Sequence, residues 1–204
     1  RTCGPYDAVH SHVHFFTGFV LKLAQKEGVG IRIAHSHSDT RTRNATASFR
    51  RKVYLRLCNR WIRKHATMQL ACSRNAGFSL FGEHWHEDAT RHILHCGIDL
   101  APFTVTCDRD AVRAELGIPR DAFVIGHVGR FEPPKNHAFL LEVFAQVLRQ
   151  RSDATLLLVG DGALRTAMEE KASRLGLSRA VVFTGSRGDV PRLMLGAMDC
   201  FAFP

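Results

Sequence analysis

The sequence predicts an α/β chain of two units, each built on a parallel sheet. Short apolar runs alternate with helix-length amphipathic segments, which is the pattern of βαβ units. The alternation is interrupted once, near 100–121, where "GIDLAPFTV" reads as a loop and "LGIPRDAF" as a turn into a new apolar strand. With 45% hydrophobic and 23% charged residues over a length of 204, the composition suffices to bury a core in each unit.

Strands are expected near 7–10, 31–35, 67–72 and 92–96, then near 122–129, 154–160, 180–184 and 198–203. Helices fall between them, near 15–27, 45–65, 74–82, 108–116, 136–150, 163–175 and 189–196. The units are placed at 1–106 and 107–204. The first lacks an opening strand and the second stops on "DCFAFP", so both read as incomplete. The chain opens on "RTCGPYDAVH" without an initiator Met, as a piece of something longer would.

Charge narrows the function classes. The net charge is +9, yet residues 41–82 hold ten Lys or Arg and no Asp or Glu, so the remainder is close to neutral. One local basic face needs explaining, and a generally nucleic-acid-like protein does not. No apolar run reaches the 18 or more residues of a membrane-spanning helix. The six cysteines (Cys3, Cys58, Cys72, Cys96, Cys107, Cys200) are scattered and form no C-x-x-C pair. That points to a reducing, cytoplasmic setting rather than a disulfide framework.

The chemistry is expected at three strand-to-helix junctions of the second unit. In "GHVGRFEPPKNH", Gly129 lets the backbone approach a ligand, and Arg130 and Lys135 flank a stiff Pro133-Pro134 turn. A cation at a helix start opposes the helix dipole unless an anion sits there, which favours a phosphate clamp. A solvated basic loop is the alternative. In "LLLVGDGALR", Gly160 and Gly162 flank Asp161; glycines at such turns most often serve sterics alone. In "VVFTGSRGDV", Gly185 and Gly188 open the backbone, and Asp189 stands at the N-cap position of the next helix. All three junctions lie at one sheet edge, suiting a nucleotide diphosphate.

With these segments quoted, the chain resembles the family-4 retaining glycosyltransferases of the GT-B fold, closest to bacterial enzymes that build capsular and exopolysaccharides. "GRFEPPKNHAFLLEVFA", "LLLVGDGALR" and "VVFTGSRGDVPRLMLGAMDCFAFP" are similar to the family's donor domain. "DAVHSHVHFFTGF", "RIAHSHSDT" and "HCGIDLAPF" are similar to its acceptor domain. The resemblance implies two Rossmann-like units and a nucleotide-diphosphate sugar, UDP-sugar foremost, as donor substrate, with no cofactor. The acceptor would be a glycan or a lipid-linked sugar. It implies that Arg130 and Lys135 hold the donor diphosphate and that His12, ahead of His10, faces the donor sugar. Ser186, Arg187 and Val190 would hold the base, largely through backbone atoms. The family's N-terminal glycine-rich loop is absent, as is the E-x7-E segment expected just after Pro204. On this resemblance residues 1–204 alone are too short to be active.

Twelve histidines raise a metal as an alternative, in "HSHVH", "HSHSD" and "HWHE". His10, His12 and His14 alternate along an extended segment and could converge. No cluster has the spacing of an established site, so no metal is expected. His35 and His37, with Ser38, Asp39 and Thr40, are expected to border the acceptor pocket, and His84 and His86 to be surface residues. Lys52, Arg56, Arg60 and Arg63 form a basic stripe on helix 45–65, with Leu55, Leu57, Cys58, Trp61 and Ile62 on the rest. That face suits either plain solvation or peripheral docking on the anionic inner face of the cell membrane. Two other functions compete. One is a non-catalytic nucleotide-binding module. The other is a polyanion binder using the basic helix, although it lacks the interleaved aromatics of a nucleic-acid stacking platform.

Overall fold

A computed structural model describes residues 4–85 and 90–204. It divides into two compact units, Arg1–Ile98 and Asp99–Pro204. The expected division at 106/107 lies eight residues later. The 3-10 turn Ala101–Phe103 packs on the last helix of the second unit, and the Cys107 thiol donates to the Arg192 carbonyl at 3.7 Å. Those contacts draw the linking segment into the second unit.

The first unit holds strands β1 (Ala8–Ser11), β2 (Ile31–Ser36), β3 (Met68–Ala71) and β4 (Arg91–Ile93), all parallel in the order β1-β2-β3-β4. Its helices are α1 (Thr17–Lys26), α2 (Arg41–Ala45), α3 (Phe49–His65) and α4 (Arg74–Phe81). The helix expected over 45–65 is α3, which starts later, at Phe49, because the Ser48 hydroxyl accepts from the Arg51 amide and caps it; the short α2 before it was not expected. Helices α1 and α3 cross so closely that a Cβ at Gly18 would lie 2.4 Å from the Cys58 carbonyl oxygen. The core gathers Leu21, Ala34, Cys58, Ile62, Leu80 and Trp85.

The second unit holds β5 (Phe123–Val128), β6 (Ala154–Val159), β7 (Val181–Gly185) and β8 (Cys200–Phe201), parallel in the order β7-β6-β5-β8. Its helices are α5 (Arg109–Glu115), α6 (His137–Gln150), α7 (Arg165–Arg174) and α8 (Val190–Gly196). Strand β6 explains the unbroken run "ATLLLV": Leu156 and Leu158 pack with α6, while Leu157 and Val159 pack with α5 and α8 on the other face. A fully buried side chain of this size contributes roughly 1.5–3 kcal/mol. Buried Arg113 is tied to this core through Asp199, whose carboxylate also takes the Val124 amide and Arg109. Burial alone would raise the Asp199 pKa, but those bonds hold it below the ordinary value.

Candidate functional site

A cleft of about 440 Å³ opens beyond the carboxyl ends of β5, β6 and β7. From β5 it is lined by Val128, Gly129 and Arg130, and from β6 by Val159, Gly160, Asp161 and Gly162. The β7 loop contributes Ser186, Arg187 and Val190. Eight of the residues selected from the three junctions therefore meet at one cleft. Lys135 does not line it.

The loops are stitched together by their backbones. The Gly129 amide donates to Val159, Phe131 to Asp161, and Gly160 to Gly185, all at 2.9–3.0 Å. A Cβ at Gly160, where φ is 141°, would lie 2.1 Å from the Gly129 carbonyl oxygen, and one at Gly162 would lie 2.8 Å from the backbone of Phe131. These glycines let one loop lie on the next, and that packing brings Arg130 to the cleft that Gly129, Gly160 and Gly162 also line. Phe131 is buried and fixes the loop, whereas the Arg130 side chain is 80% exposed, with Glu132 as a 3.4 Å ion-pair partner.

Other charges around the cleft are more tightly matched. Asp161 accepts from the Gly162 amide at 2.7 Å and from Arg165 at 3.1 Å, and those bonds lower its pKa. Arg187 donates two bonds to Asp189, both at 2.8 Å, and one to Glu115 at 2.7 Å. Arg192 closes the network on the same two carboxylates. Asp189 holds the N-cap position of α8 but makes no side-chain cap, because its carboxylate is engaged by the two arginines. The network pins the β7 loop in place, and Arg187 is consumed in holding it.

Lys135 ends a 3-10 turn over Pro133–Lys135, one residue before the α6 N-cap. Its stem runs under Gly129, with Cδ 3.3 Å from where a Cβ there would stand, and its ammonium lies 5.1 Å from the centre of the Phe203 ring. Asn136 takes a left-handed conformation, φ 46°, and gives α6 no side-chain cap. Two histidines that sequence reasoning did not single out lie beneath this turn. His127 donates its Nδ1 hydrogen to the Ala202 carbonyl at 2.9 Å, and His137 stacks on Phe131 at 4.1 Å. Neither ring nitrogen of His137 has a partner, and burial, with His127 and Lys135 nearby, lowers its pKa to about 4.

The first unit gathers four imidazoles at the ends of β1 and β2. His10 Nε2 lies 3.1 Å from His35 Nδ1, and His12 Nδ1 lies 2.7 Å from His37 Nε2. His14 does not join them. The strand ends at Ser11, the chain turns, and the His14 ring points to the Ser38 carbonyl. His35 is buried, and burial followed by the charges of His37, His10 and His12 lowers its pKa to about 4. Two sets of ligand atoms lie within 4.8 Å of one another: His10, His12 and His35, and His37, Cys72 and Cys96. Of the residues expected beside His35 and His37, Asp39 pairs with Arg41 and Thr40 bonds Ser79. His84 is exposed as expected, while His86 and Cys3 lie outside the described residues.

On α3, Lys52, Arg56, Arg60 and Arg63 are exposed, and Leu55, Cys58 and Ile62 are buried. Leu57, expected on the packed side, is 43% exposed, beside exposed Phe49, Val53 and Tyr54. No helix among the described residues is long and apolar enough to cross a membrane.

Comparison with known proteins extends this geometry. Residues 108–204 match the family described as "Glycosyl transferases group 1". The chain is 37% identical to a putative glycosyltransferase, EpsF, of Bacillus subtilis, covering 98% of this chain and 52% of that protein. It is 26% identical to the UDP-Gal:alpha-D-GlcNAc-diphosphoundecaprenol alpha-1,3-galactosyltransferase of Escherichia coli, over the same shares. The chain thus spans about half the length of the relatives it matches. Among solved structures, Anabaena HepE in complex with UDP superposes with a TM-score of 0.80 at 23% identity, covering 97% of this chain and 53% of that one. WaaG, a glycosyltransferase involved in lipopolysaccharide biosynthesis, gives 0.66 at 19%, with coverages of 98% and 61%. The fold is that of GT-B glycosyltransferase structures, and residues 108–204 are similar to the group 1 glycosyltransferases.

Proposed function

We propose that the chain forms part of an enzyme that transfers a sugar from a nucleotide-diphosphate sugar, a UDP-sugar, to a glycan or lipid-linked acceptor in polysaccharide biosynthesis. The observation that carries this reading is the glycine-stitched cleft, in which Arg187 is consumed by carboxylates and Arg130 stays extended into solvent. The named substrate of the E. coli relative and the UDP bound by HepE point the same way. Arg130 and Lys135, beside the side-chain-uncapped start of α6, supply fixed positive charge where the leaving diphosphate gains negative charge. No metal is assigned to that step, and the reaction retains anomeric configuration. His12 is assigned to the donor sugar on the family resemblance alone, and the base is held largely by backbone around Ser186, Arg187 and Val190.

Binding of UDP and of uridine, measured side by side, tests the clamp. Lys135→Ala should weaken UDP binding by about 1.5–3 kcal/mol, the scale of a charge-assisted hydrogen bond, and leave uridine nearly unchanged. Equal losses for both ligands would reduce Lys135 to a basic surface residue.

A peripheral place on the anionic, cytoplasmic face of a membrane is favoured by α3, where apolar Phe49, Val53, Tyr54 and Leu57 are exposed on the same helix as the stripe of Lys52, Arg56, Arg60 and Arg63. Replacing Arg56, Arg60 and Arg63 with Glu should remove at least about 1 kcal/mol of vesicle binding per residue at low salt. Vesicle binding that does not change would retire the membrane role.

A further inference from the structure

We propose that His37, Cys72 and Cys96 form a binding site for a tetrahedral divalent transition metal, Zn²⁺ by ligand chemistry. The sheet itself assembles the three ligands. His37 directly follows β2, Cys72 directly follows β3, and Cys96 lies three residues past β4, on three adjacent parallel strands. Pairing continues past the strand ends, with the Cys72 amide donating to Ser36 at 3.0 Å and the Leu94 amide to Ala71 at 2.9 Å. His95 is tied to the Cys72 carbonyl at 3.1 Å through Nδ1. Sheet pairing therefore sets His37 and Cys72, and the Leu94 and His95 bonds to the β3 end anchor the segment that carries Cys96.

The distances fit a metal. With Zn–S near 2.3 Å and Zn–N near 2.0–2.1 Å, the S···N edge of a tetrahedral site is about 3.6 Å. The Cys96 sulfur lies 3.7 Å from His37 Nδ1, and all three ligand atoms fall within 4.8 Å of one another. Two sulfurs and one imidazole are a donor set that favours zinc over harder cations. Cys96 and His37 are exposed and Cys72 is half-buried, so a cation can enter. Three protein ligands leave the fourth position to water. Binding would displace the two thiol protons to solvent and leave both sulfurs as thiolates.

The second ring nitrogen of His37 already has the partner that a metal-bound imidazole needs. His37 Nε2 lies 2.7 Å from His12 Nδ1. With Nδ1 on the metal, Nε2 carries the hydrogen and donates it to His12 Nδ1, fixing the orientation of both rings. The metal site does not depend on the sugar-transfer reading, because metal binding and donor binding are read separately.

The test is a titration of the reduced, chelator-stripped protein with Co²⁺ and, in competition with a chromophoric chelator, with Zn²⁺. The expected result is one equivalent of Co²⁺ with a thiolate-to-cobalt charge-transfer band. That band should be lost in Cys72→Ser and Cys96→Ser and kept in Cys200→Ser. His12→Ala should lower Zn²⁺ affinity about 10- to 100-fold, as loss of a ligand's hydrogen-bond partner does. Circular dichroism of each variant checks its folding. A wild-type protein with no such band overturns the proposal whatever the variants do. So does a band that survives both serine replacements in folded protein. Two thiols that are missing before reduction, with no Co²⁺ band after it, would mean a Cys72–Cys96 disulfide in place of the metal site.

Discussion

The two units use the carboxyl ends of their strands in opposite ways. In the second, the charged groups at the cleft are matched in pairs: Asp161 with Arg165, and Arg187 and Arg192 with Glu115 and Asp189. In the first, four imidazoles contact one another and, among the described residues, none hydrogen-bonds a carboxylate. A paired edge is a rigid frame that leaves a selected cation for a ligand. A cluster of imidazoles and thiols with no carboxylate among its partners has lone pairs to offer. The first arrangement suits an anion and the second a cation.

The largest loss expected in the second unit follows removal of a carboxylate at the opposite end of its sheet, where Asp199 bonds the start of β5. Asp199→Ala leaves Arg113, whose side chain is only 6% exposed, without its ion pair and frees the Val124 amide. Orphaning a buried charge costs about 3–5 kcal/mol. Urea unfolding of the second unit, followed through its melting midpoint, should show that loss. A change under 1 kcal/mol would mean that Arg113 finds enough support from the carbonyls of Arg120, Ala122 and Ala197, which it already bonds.

The difference between the units also explains what could be read before folding. Strand β6 was legible because burial on both faces writes an unbroken apolar run, and the cleft was legible because each wall is one local segment, strand, glycine and loop. Gly160 and Gly162 stand where a side chain would strike the neighbouring loop. The cluster of the first unit was legible only in part. His10 and His12 share a face because they alternate on a strand, but His14 fails to follow once the strand stops at Ser11. The meeting of His37, Cys72 and Cys96 is invisible to spacing, since each comes from a different strand and only the sheet brings them together. Asp189 reads as a cap from position alone, and tertiary partners at residues 115, 187 and 192 decide otherwise. His137 gave no signal: nothing in "KNHAFLL" says that its ring turns inward under Lys135.

That inward ring allows the comparison to be sharpened by pH. His137 is buried against Phe131, faced by His127 from β5 and by the Lys135 turn, and both ring nitrogens lack partners. Burial first, then His127 and Lys135, bring its pKa from 6.5 to about 4. The folded value lies below the unfolded one, so between these pH values the unfolded chain binds more protons. Stability is therefore fully present above pH 6.5 and is lost as pH falls towards 4, by at most about 1.4 kcal/mol per pH unit for this group. His35 contributes with the same sign in the first unit, so the wild-type slope alone does not isolate His137. Comparing wild type with His137→Phe, which keeps a ring on Phe131, removes only that part. The expected outcome is a flatter dependence of unfolding free energy on pH in the variant between 6.5 and 4, with His137→Leu giving the same flattening. Equal slopes in all three proteins would mean that His137 takes up its proton in the folded state as readily as in the unfolded one.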